Sequence, residues 1–375
     1  MSKMKVVTIV GTRPEIIRLS RIIPALDDNM DHVLVHTGQN YDYELNEIFF
    51  KELGLNPPKY YLDAGGSSVE TIGNVIIRID PILKTEKPDA VLILGDTNSS
   101  LVAISAKKNQ IPIFHMEAGN RCFDQRVPEE VNRKLVDHIS DINMPYSDIA
   151  REYLINEGFP PDRIIKTGSP LYEVLNHYMN DINLSNVLVR LGLKSLDYFL
   201  ISAHRSENVE SDNFFELIDA INHMAEIFDK NIIFSTHPRT MKRFVESGMK
   251  DKLHKNIKLM KPLSFFDYVC LQKNAKVVLS DSGTITEESS ILNFPALNIR
   301  CSHERPEGME EGSVMMTGLE KRDILNNMEI VMKQKRGGDR ELSIPKDYQV
   351  ENVSLKVVRI IASYVGYVNR VVWRK

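Results

Sequence analysis

The chain has 375 residues, of which 42% are hydrophobic and 26% are charged, and its formal net charge at pH 7 is −4. This length exceeds that of one ordinary hydrophobic core and predicts a globular protein of two domains. The chain contains no block of like charges. Nucleic acid and anionic membranes are therefore not expected partners, because both are bound through a basic face.

The predicted strands are short apolar runs that alternate with longer segments of helical period. They are apolar on both faces, which is typical of strands that helices cover on both sides. In chain order they are Val6–Val10, His32–His36, Ala90–Leu94, Ile111–His115, Phe199–Ser202, Ile232–Ser235, Val277–Leu279 and Ala296–Ile299. Helical periodicity is clearest in Val69–Leu83 and Asn213–Phe228.

Strands that alternate with helices predict an α/β protein, here with two Rossmann-like domains built on parallel sheets and a cleft between them. We place the N-terminal domain at residues 1–169 and the C-terminal domain at 170–353, with the break at Gly168-Ser169-Pro170. The last stretch, about 354–375, is predicted to form a helix that packs back on the first domain.

The cysteines and the N-terminal residues indicate the cellular compartment in which the protein is expected. Cys122, Cys270 and Cys301 lie far apart without paired spacing, so neither a disulfide framework nor a zinc site is expected. The first apolar run, Val6–Val10, is too short for the core of a signal peptide or for a membrane span. We therefore expect a cytoplasmic protein.

Polar loops follow seven of the predicted strands. Ligands of open parallel sheets bind beyond the carboxyl ends of the strands, so these loops are the expected functional site. The loops begin at Gly11, Thr37, Gly95, Glu117, Ala203, Thr236 and Asp281.

The segment Asp281-Ser282-Gly283-Thr284 opens a predicted helix. It fits an ordinary helix cap, and it also fits an anion site in which backbone amides hold a phosphate and Gly283 permits close approach. Glu288, one turn later, would accept hydrogen bonds from ribose hydroxyls, whereas Glu287 is expected to face solvent.

Four acidic residues, at three places in the chain, form a candidate site for proton transfer. Asp96 and Glu117 each follow a strand, and Glu129 and Glu130 come directly after Pro128. Pro and acidic residues in a first turn also mark an ordinary helix start. If one of the two glutamates faces the cleft beside Asp96 and Glu117, the clustered carboxylates suit proton transfer near neutral pH.

Histidines and arginines complete the polar loops. His204 follows one strand and His237 another, and histidine is the side chain best suited to titrate near neutral pH, although a loop histidine is more often structural. Arginines that together would neutralise a diphosphate, but singly fit surface positions, are Arg13, Arg18, Arg205 and Arg305. Phe265 and Tyr268 fit either a base-stacking surface or the core.

The motifs GTRPEIIR, HTGQ, LGDTNS, HMEAGNR, VPEEVNRK, TGSP, HRSEN, DSGTITEES and ERPEG together resemble the non-hydrolysing UDP-N-acetylglucosamine 2-epimerase family. Their order and spacing agree from about Met4 to Gly312. The resemblance implies a fold like that of the GT-B glycosyltransferases, an interdomain active site, usually a homodimer, and neither NAD nor a metal.

The implied reaction inverts C2 of a UDP-linked 2-acetamido sugar by eliminating UDP and adding it back to a 2-acetamidoglycal. Residues that the resemblance places in catalysis are Asp96, Glu117, Glu129, His204 and Arg18. Those expected to contact UDP are Arg13, His237, Phe265, Tyr268, Ser282, Gly283, Thr284 and Glu288. The expected sugar and diphosphate pocket comprises Gln39, Asn120, Arg133, Arg205, Asn208 and Arg305.

The chain departs from the family's commonest form. Arg18 stands in place of lysine, Gly283-Thr284-Ile285-Thr286 replaces Gly-Gly-Ile-Gln, and EAGNRC replaces EAGLRT. The Gln-His pattern of the allosteric UDP-N-acetylglucosamine site of bacterial members is also missing. These variants look more like the branch that forms UDP-N-acetyl-L-fucosamine from UDP-2-acetamido-2,6-dideoxy-L-talose for capsule or O-antigen.

Three alternatives stay open. The first is a 2-epimerase that converts UDP-N-acetylglucosamine to UDP-N-acetylmannosamine. The others are a GT-B glycosyltransferase and a UDP-sugar-binding regulator without activity. The intact acidic cluster argues against the last two, because neither needs carboxylates on both faces of C2.

Overall fold

The computed structural model of the protein describes residues 3–38, 43–209, 211–300 and 302–375. These residues form two compact units, one of Met1–Asn176 with Lys346–Lys375 and the other of His177–Pro345. The sequence places the first break at 169/170 instead. In the structure the Ser169 amide donates to the Asp347 carbonyl oxygen across 2.8 Å, which ties this segment to the first unit.

Each unit contains a six-stranded parallel sheet, which confirms the predicted α/β class. The strands of the first unit are β1 Lys5–Val10, β2 Asp31–His36, β3 Tyr60–Tyr61, β4 Ala90–Leu94, β5 Ile113–Met116 and β6 Ile142–Met144. Those of the second unit are β7 Tyr198–Ser202, β8 Asn231–Ser235, β9 Ile257–Met260, β10 Val277–Ser280, β11 Ala296–Asn298 and β12 Met315–Met316.

The two sheets share one topology. The orders are β3-β2-β1-β4-β5-β6 and β12-β11-β10-β7-β8-β9, so the direction of winding reverses between β1 and β4 and between β7 and β10. Ligands of doubly wound sheets bind at this switch point, beyond the carboxyl ends of the strands. The turns that follow these four strands are therefore where each unit can hold a ligand.

Helices cover both sheets, and their bounds in chain order are as follows. They are α1 Arg13–Leu19, α2 Ile22–Asn29, α3 Tyr43–Glu52, α4 Ser68–Glu86, α5 Ala103–Lys108, α6 Pro128–Ile139, α7 Asp148–Asn156, α8 Leu171–Leu184, α9 Val187–Leu191, α10 Ser206–Val209, α11 Asn213–Phe228, α12 Pro238–Glu246, α13 Phe265–Asn274, α14 Ile285–Leu292, α15 Pro306–Glu310, α16 Lys321–Val331 and α17 Val353–Val368. The C-terminal helix α17 contacts α2 and belongs to the first unit.

Each unit has its own core on the faces of its sheet. Every residue of β4 is buried, and so is every residue of β10, as expected for strands covered on both faces. The core of the first unit includes Val7, Val91 and Ile113, and that of the second includes Phe199, Phe234 and Leu279. Among the residues described, none of the helices combines the length and the apolar character that a membrane span requires.

Candidate active site

Glu15 joins the two turns at the switch point of the first unit. Its Oε2 accepts hydrogen bonds from the amides of Gly11 (2.5 Å) and Thr12 (3.0 Å), and its Oε1 accepts from the Thr97 hydroxyl (2.5 Å). Burial raises the pKa of Glu15 to about 7, against the opposing effect of these hydrogen bonds. Sequence reasoning did not single out Glu15, although it stands inside the GTRPEIIR motif.

The two arginines of α1 occupy different environments. Arg13 is half-buried, with its guanidinium 5.1 Å from the centre of the Phe49 ring. Arg18 is only 3% exposed and lies 5.6 Å from the Tyr146 ring centre, at a cation–π distance. Gln39, assigned from the sequence to the sugar pocket, lies outside the described residues.

Asp96 is held by Arg133. The Nε of Arg133 donates to Asp96 Oδ2 across 2.6 Å, and its Nη1 donates to Glu130 Oε2 across 2.8 Å. The side-chain amide of Asn132 donates to the Asp96 carbonyl oxygen across 2.9 Å. Arg133, predicted from the sequence to line the sugar or diphosphate pocket, thus bridges two carboxylates in this structure.

The structure distinguishes the two glutamates that begin α6. Glu130 is fully buried and accepts from the amides of Cys122 and Phe123 as well as from Arg133. Burial raises the pKa of Glu130, but the Cys122 hydrogen bonds and the Arg133 charge outweigh it and hold the pKa below its usual value. Glu130 thus holds the preceding loop, whereas Glu129 is half-buried and remains the candidate for proton transfer.

Glu117 lies beside the turn that carries Asp96. A Cβ atom added to Gly95 would stand 3.3 Å from Glu117 Oε2, and the Asn120 side-chain amide donates to Glu117 Oε1 across 3.4 Å. Glu117 has a φ of +65°, in the left-handed region that glycine favours. Strained backbone at a non-glycine residue is typical of functional sites.

Asp281 organises the turn after β7 in the second unit. Its buried carboxylate accepts from the amides of His204 and Arg205, each at 2.9 Å to Oδ2, and from the Asn208 side chain at 3.2 Å. The Nδ1 of His204 lies 3.2 Å from Asp281 Oδ1, and the His204 ring is 41% exposed. Sequence reasoning placed Asp281 in a motif but not among the site residues. Its signal was an acidic residue directly after a buried strand.

The turn after β10 is held by its own hydroxyl groups. The Ser282 amide donates to Ser280 Oγ across 3.1 Å, and the Thr284 amide donates to Ser282 Oγ across 3.3 Å. Helix α14 begins only at Ile285, so the segment predicted to open the helix forms a turn before it. A phosphate at this turn would replace hydroxyl partners that the amides of Ser282 and Thr284 now have.

Arginines and glutamates surround Gly283. Arg305 Nε donates to the Gly283 carbonyl oxygen across 2.9 Å and lies 3.1 Å from Glu287 Oε2. Arg205 Nη2 donates to Glu304 Oε1 across 3.4 Å. The expectation that Glu287 faces solvent is wrong, because its side chain is fully buried in the ion pair with Arg305.

Helix α13 carries Phe265 and Tyr268, which the sequence assigns to UDP binding, and Gln272, which contacts Glu288. The Gln272 side-chain amide donates to Glu288 Oε2 across 2.6 Å, and Gln272 itself is fully buried. Phe265 is 5% exposed and packs against the Tyr178 ring with centroids 6.4 Å apart, whereas Tyr268 is half-buried. His237 caps α12, with its Nδ1 accepting from the Arg239 amide across 3.3 Å.

Metal binding finds no support in the part of the chain that the structure describes. No group of three or more His, Cys, Asp or Glu side chains is arranged there to hold an ion. The partners given above for these carboxylates are arginine guanidinium groups, backbone and side-chain amides, an imidazole and a hydroxyl.

Comparison with known proteins places the chain among sugar-nucleotide epimerases. The family model described as UDP-N-acetylglucosamine 2-epimerase matches residues 25–362. The UDP-N-acetylglucosamine 2-epimerase of Methanocaldococcus jannaschii is 41% identical over 343 residues, which cover 89% of this chain and 93% of the relative.

Two solved structures resemble the chain over nearly its whole length. A UDP-N-acetylglucosamine 2-epimerase from Rickettsia bellii is 49% identical, with all of both chains covered and a TM-score of 0.94. The M. jannaschii enzyme in complex with UDP-GlcNAc and UDP is 38% identical, with 96% of this chain and 99% of that chain covered and a TM-score of 0.90.

Proposed function

The chain belongs to the UDP-N-acetylglucosamine 2-epimerase family of non-hydrolysing isomerases, and from this we propose that it interconverts UDP-N-acetylglucosamine and UDP-N-acetylmannosamine. The observation that carries the proposal is the similarity to the M. jannaschii enzyme, whose structure holds UDP-GlcNAc and UDP. Both units of this chain are matched in that comparison, because it covers 96% of the residues.

The comparisons favour one sugar, and the departures of this sequence from the family's commonest motifs favour another. The relatives described above are named for UDP-N-acetylglucosamine, and none is named for the L-talose substrate that the departures favoured. We therefore make UDP-N-acetylglucosamine the first candidate. UDP-2-acetamido-2,6-dideoxy-L-talose is the second, supported by Arg18 and the Thr284–Thr286 variant, and a role in capsule or O-antigen synthesis belongs to that candidate.

The chemical problem is that the C2–H bond is not adjacent to a carbonyl group and is not acidic. In the proposed mechanism a base removes the C2 proton while the C1–O bond breaks, and UDP leaves with that electron pair. A C1–C2 double bond results in the bound 2-acetamidoglycal. Re-addition forms the C1–O bond again and delivers a proton to the opposite face of C2, so the cycle is redox-neutral.

The first unit supplies the proton-transfer groups in this proposal. Asp96, Glu117 and Glu129 are the candidate acids and bases, with Arg133 orienting Asp96. Proton transfer needs a side chain within hydrogen-bond reach of the reacting atom. The left-handed backbone of Glu117 supports its place among these groups.

The second unit supplies the groups that hold UDP in this proposal. The departing diphosphate carries negative charge, which Arg205 and Arg305 would stabilise beside the Gly283 turn. Glu288 would accept from ribose hydroxyls, and Asp281 would fix His204 for catalysis. To pair with the diphosphate as proposed, Arg205 would give up its long 3.4 Å contact with Glu304.

Exchange at C2 in deuterated water tests the function. The wild-type protein should incorporate deuterium at C2 of UDP-N-acetylglucosamine, produce UDP-N-acetylmannosamine and release UDP slowly. Exchange only in the L-talose substrate would establish the second candidate. A protein that exchanges neither, but transfers sugar to an acceptor or only binds UDP, is a glycosyltransferase or a binding protein instead.

Variants of the proposed acid–base groups separate chemistry from binding. Asp96→Asn and Glu117→Gln should abolish C2 exchange and leave the affinity for UDP largely intact, because the proposed UDP groups lie in the second unit. Loss of UDP affinity in both variants would show that these residues build the nucleotide site. The homodimer that the family resemblance implies is part of the proposal, and light scattering of the purified protein tests it.

A further inference from the structure

A buried carboxylate in α6 holds the turn that carries Glu117. The Gly119 amide donates to Asp137, with 3.2 Å to Oδ2 and 3.3 Å to Oδ1, and the Asp137 side chain is fully buried. Arg121 Nη1 lies 2.8 Å from Asp137 Oδ2 and donates to the Asn120 carbonyl oxygen across 2.7 Å. Asp137 and its arginine therefore fix an amide and a carbonyl of this one turn.

The same carboxylate reaches the turn that carries Asp96. His115 Nδ1 lies 2.9 Å from Asp137 Oδ1, and His115 Nε2 contacts the Gly95 carbonyl oxygen across 2.9 Å. Gly95 directly precedes Asp96 in the chain. Asp137 is thus linked to both candidate acid–base turns, to one directly and to the other through one imidazole.

The Glu117 turn needs such support because its backbone is strained. Glu117 has a φ of +65° and Gly119 a φ of +81°, and a Cβ at Gly119 would stand 2.4 Å from the Ala150 carbonyl oxygen. A non-glycine residue in the left-handed region costs roughly 1–3 kcal/mol and persists only where its surroundings over-determine it. The contacts of Asp137 and Arg121 are such surroundings.

Stability alone is a weak reason for this buried group. Removing charges from water costs free energy that their attraction often fails to recover, and apolar replacements of buried ion pairs are often as stable. Burial raises the pKa of Asp137, but His115 and Arg121 outweigh it and hold the pKa below its usual value, so the carboxylate stays ionised. An ionised acceptor can hold amide, guanidinium and imidazole donors in fixed directions.

We propose that Asp137 is a positioning residue that sets Glu117 and Asp96 in their relative places for proton transfer at C2. This inference rests on the proposed epimerase function. It assigns to Asp137 no contact with substrate. Its effect on the reaction comes through the Gly119 amide and through His115.

The test compares Asp137→Asn with a matched control, Asp141→Asn. Asp141 is also buried, accepts the Ile113 amide across 3.0 Å and pairs with Lys107 across 2.5 Å, but at the amino end of β5. We expect kcat for C2 exchange to fall about 10- to 100-fold in Asp137→Asn, with KM and the UDP dissociation constant within about twofold of wild type. Asp141→Asn should keep the wild-type kcat at a comparable loss of thermal stability.

A crystal structure of Asp137→Asn gives a readout that does not depend on activity. We expect the Glu117 carboxylate to move by about 1 Å or more, which is the displacement that costs about 100-fold in rate. If the wild-type protein exchanges no UDP-sugar at C2, the proposed function fails, and this structure still decides whether Asp137 holds the Glu117 turn in place. An unmoved Glu117, or equal kcat losses in the Asp137 and Asp141 variants, would overturn it.

If Asp137→Asn does not fold, the variant His115→Phe tests the inference instead. This variant keeps the contacts of Asp137 with Arg121 and Gly119 and removes the two contacts of His115, one to Asp137 and one to the Gly95 carbonyl oxygen. A folded His115→Phe protein should lose at least about fivefold in kcat with its UDP affinity unchanged. Wild-type kcat in that variant would contradict the inference.

Discussion

Arg133 and Asp96 form an ion pair in which the guanidinium Nε donates to the carboxylate across 2.6 Å. The pair is asymmetric, since Arg133 is 3% exposed and the Asp96 side chain is 26% exposed. The arginine is therefore a fixed part of the protein interior, whereas the carboxylate reaches the surface of the first unit. This geometry suits a side chain that orients the proposed proton-transfer group without itself meeting the substrate.

Arg133→Lys should lower kcat for C2 exchange by at least about tenfold and leave UDP affinity unchanged. A lysine ammonium cannot hold Asp96 and Glu130 in the two directions that the guanidinium serves. Glu130 is fully buried, so losing the guanidinium among its hydrogen-bond donors should also lower the free energy of unfolding by about 1–3 kcal/mol. Steady-state kinetics and urea unfolding measure the two effects.

Arg126→Lys is the matched control for this substitution. Arg126 also pairs with a carboxylate, that of Asp124 at 2.8 Å, but its side chain is 85% exposed. Exposed pairs contribute little to stability, so this variant should behave as wild type. Equal kinetics in the two variants would show that Arg133 does not orient Asp96.

The sequence predicted the interior of both sheets but not their edges. All eight predicted strands are present, and the four that were missed, β3, β6, β9 and β12, are the four edge strands. They are only two to four residues long, and β3, β9 and β12 are incompletely buried. An edge strand pairs on one side only, so it lacks the long apolar run that marks a central strand.

For the candidate site, too, the sequence indicated what depends on neighbouring residues and not what depends on residues far along the chain. Strand-end position was enough to single out Asp96, Glu117 and His204. The environment of Glu287 was not predictable, because its partner Arg305 lies 18 residues later and meets it only in the folded chain. Asp137 was missed for the same reason, since nothing near it in the sequence indicates that Gly119 and Arg121 face it.

Glu15→Gln should remove one of the contributions that make the stability depend on pH. Burial raises the pKa of Glu15 from 4.5 to about 7, so the folded chain holds a proton that the unfolded chain releases between these values. The contribution of Glu15 to the free energy of unfolding is therefore greatest below pH 4.5. This contribution falls by at most about 3 kcal/mol as the pH rises to about 7, and it is constant at higher pH. Urea unfolding of wild type and variant from about pH 5 to about pH 8 measures the difference between their slopes.

The difference between wild type and variant is the quantity to compare. Burial lowers the pKa of His36 from 6.5 to about 4, so its contribution rises with pH over that interval and opposes that of Glu15. Glu70→Gln serves as control. Hydrogen bonds from Ser67 lower the Glu70 pKa below 4.5, so its contribution is lost only on the acid side of that value. The same dependence of stability on pH in wild type and Glu15→Gln would refute the prediction.

Gln272→Met should weaken binding of UDP by about 5- to 20-fold. Gln272 donates a 2.6 Å hydrogen bond to Glu288, and without it the carboxylate proposed to hold the ribose hydroxyls is no longer fixed. The affinity for 2′,3′-dideoxy-UDP should not change, because that nucleotide offers no hydroxyl to Glu288. Isothermal titration calorimetry with both nucleotides measures the difference.

Gln334→Met is the corresponding control, since the Gln334 side-chain amide donates across 3.4 Å to Asn293, which is not one of the proposed UDP groups. It should bind both nucleotides as wild type does. Equal weakening of UDP and of its dideoxy analogue in Gln272→Met would mean that Gln272 supports the unit as a whole and not the ribose contact.

Gly283→Ala separates the needs of the fold from those of the ligand. The nearest atom to an added Cβ is Glu304 Oε2 at 3.4 Å, an ordinary contact, followed by the guanidinium atoms of Arg205 and Arg305 at 4.0 Å. The fold should therefore accept alanine with a melting temperature close to that of wild type. UDP affinity should fall at least about tenfold, because a methyl group would stand where the phosphate is proposed to approach the backbone.

The contrast with Gly119→Ala makes this prediction specific. At Gly119 the added Cβ would stand 2.4 Å from a carbonyl oxygen and the φ is +81°, so alanine there should lower the melting temperature markedly. Differential scanning calorimetry and UDP titration of both variants measure the two patterns. Unchanged UDP affinity in a folded Gly283→Ala protein would show that the diphosphate does not meet the backbone at this turn, and the proposed roles of Arg205 and Arg305 would fall with it.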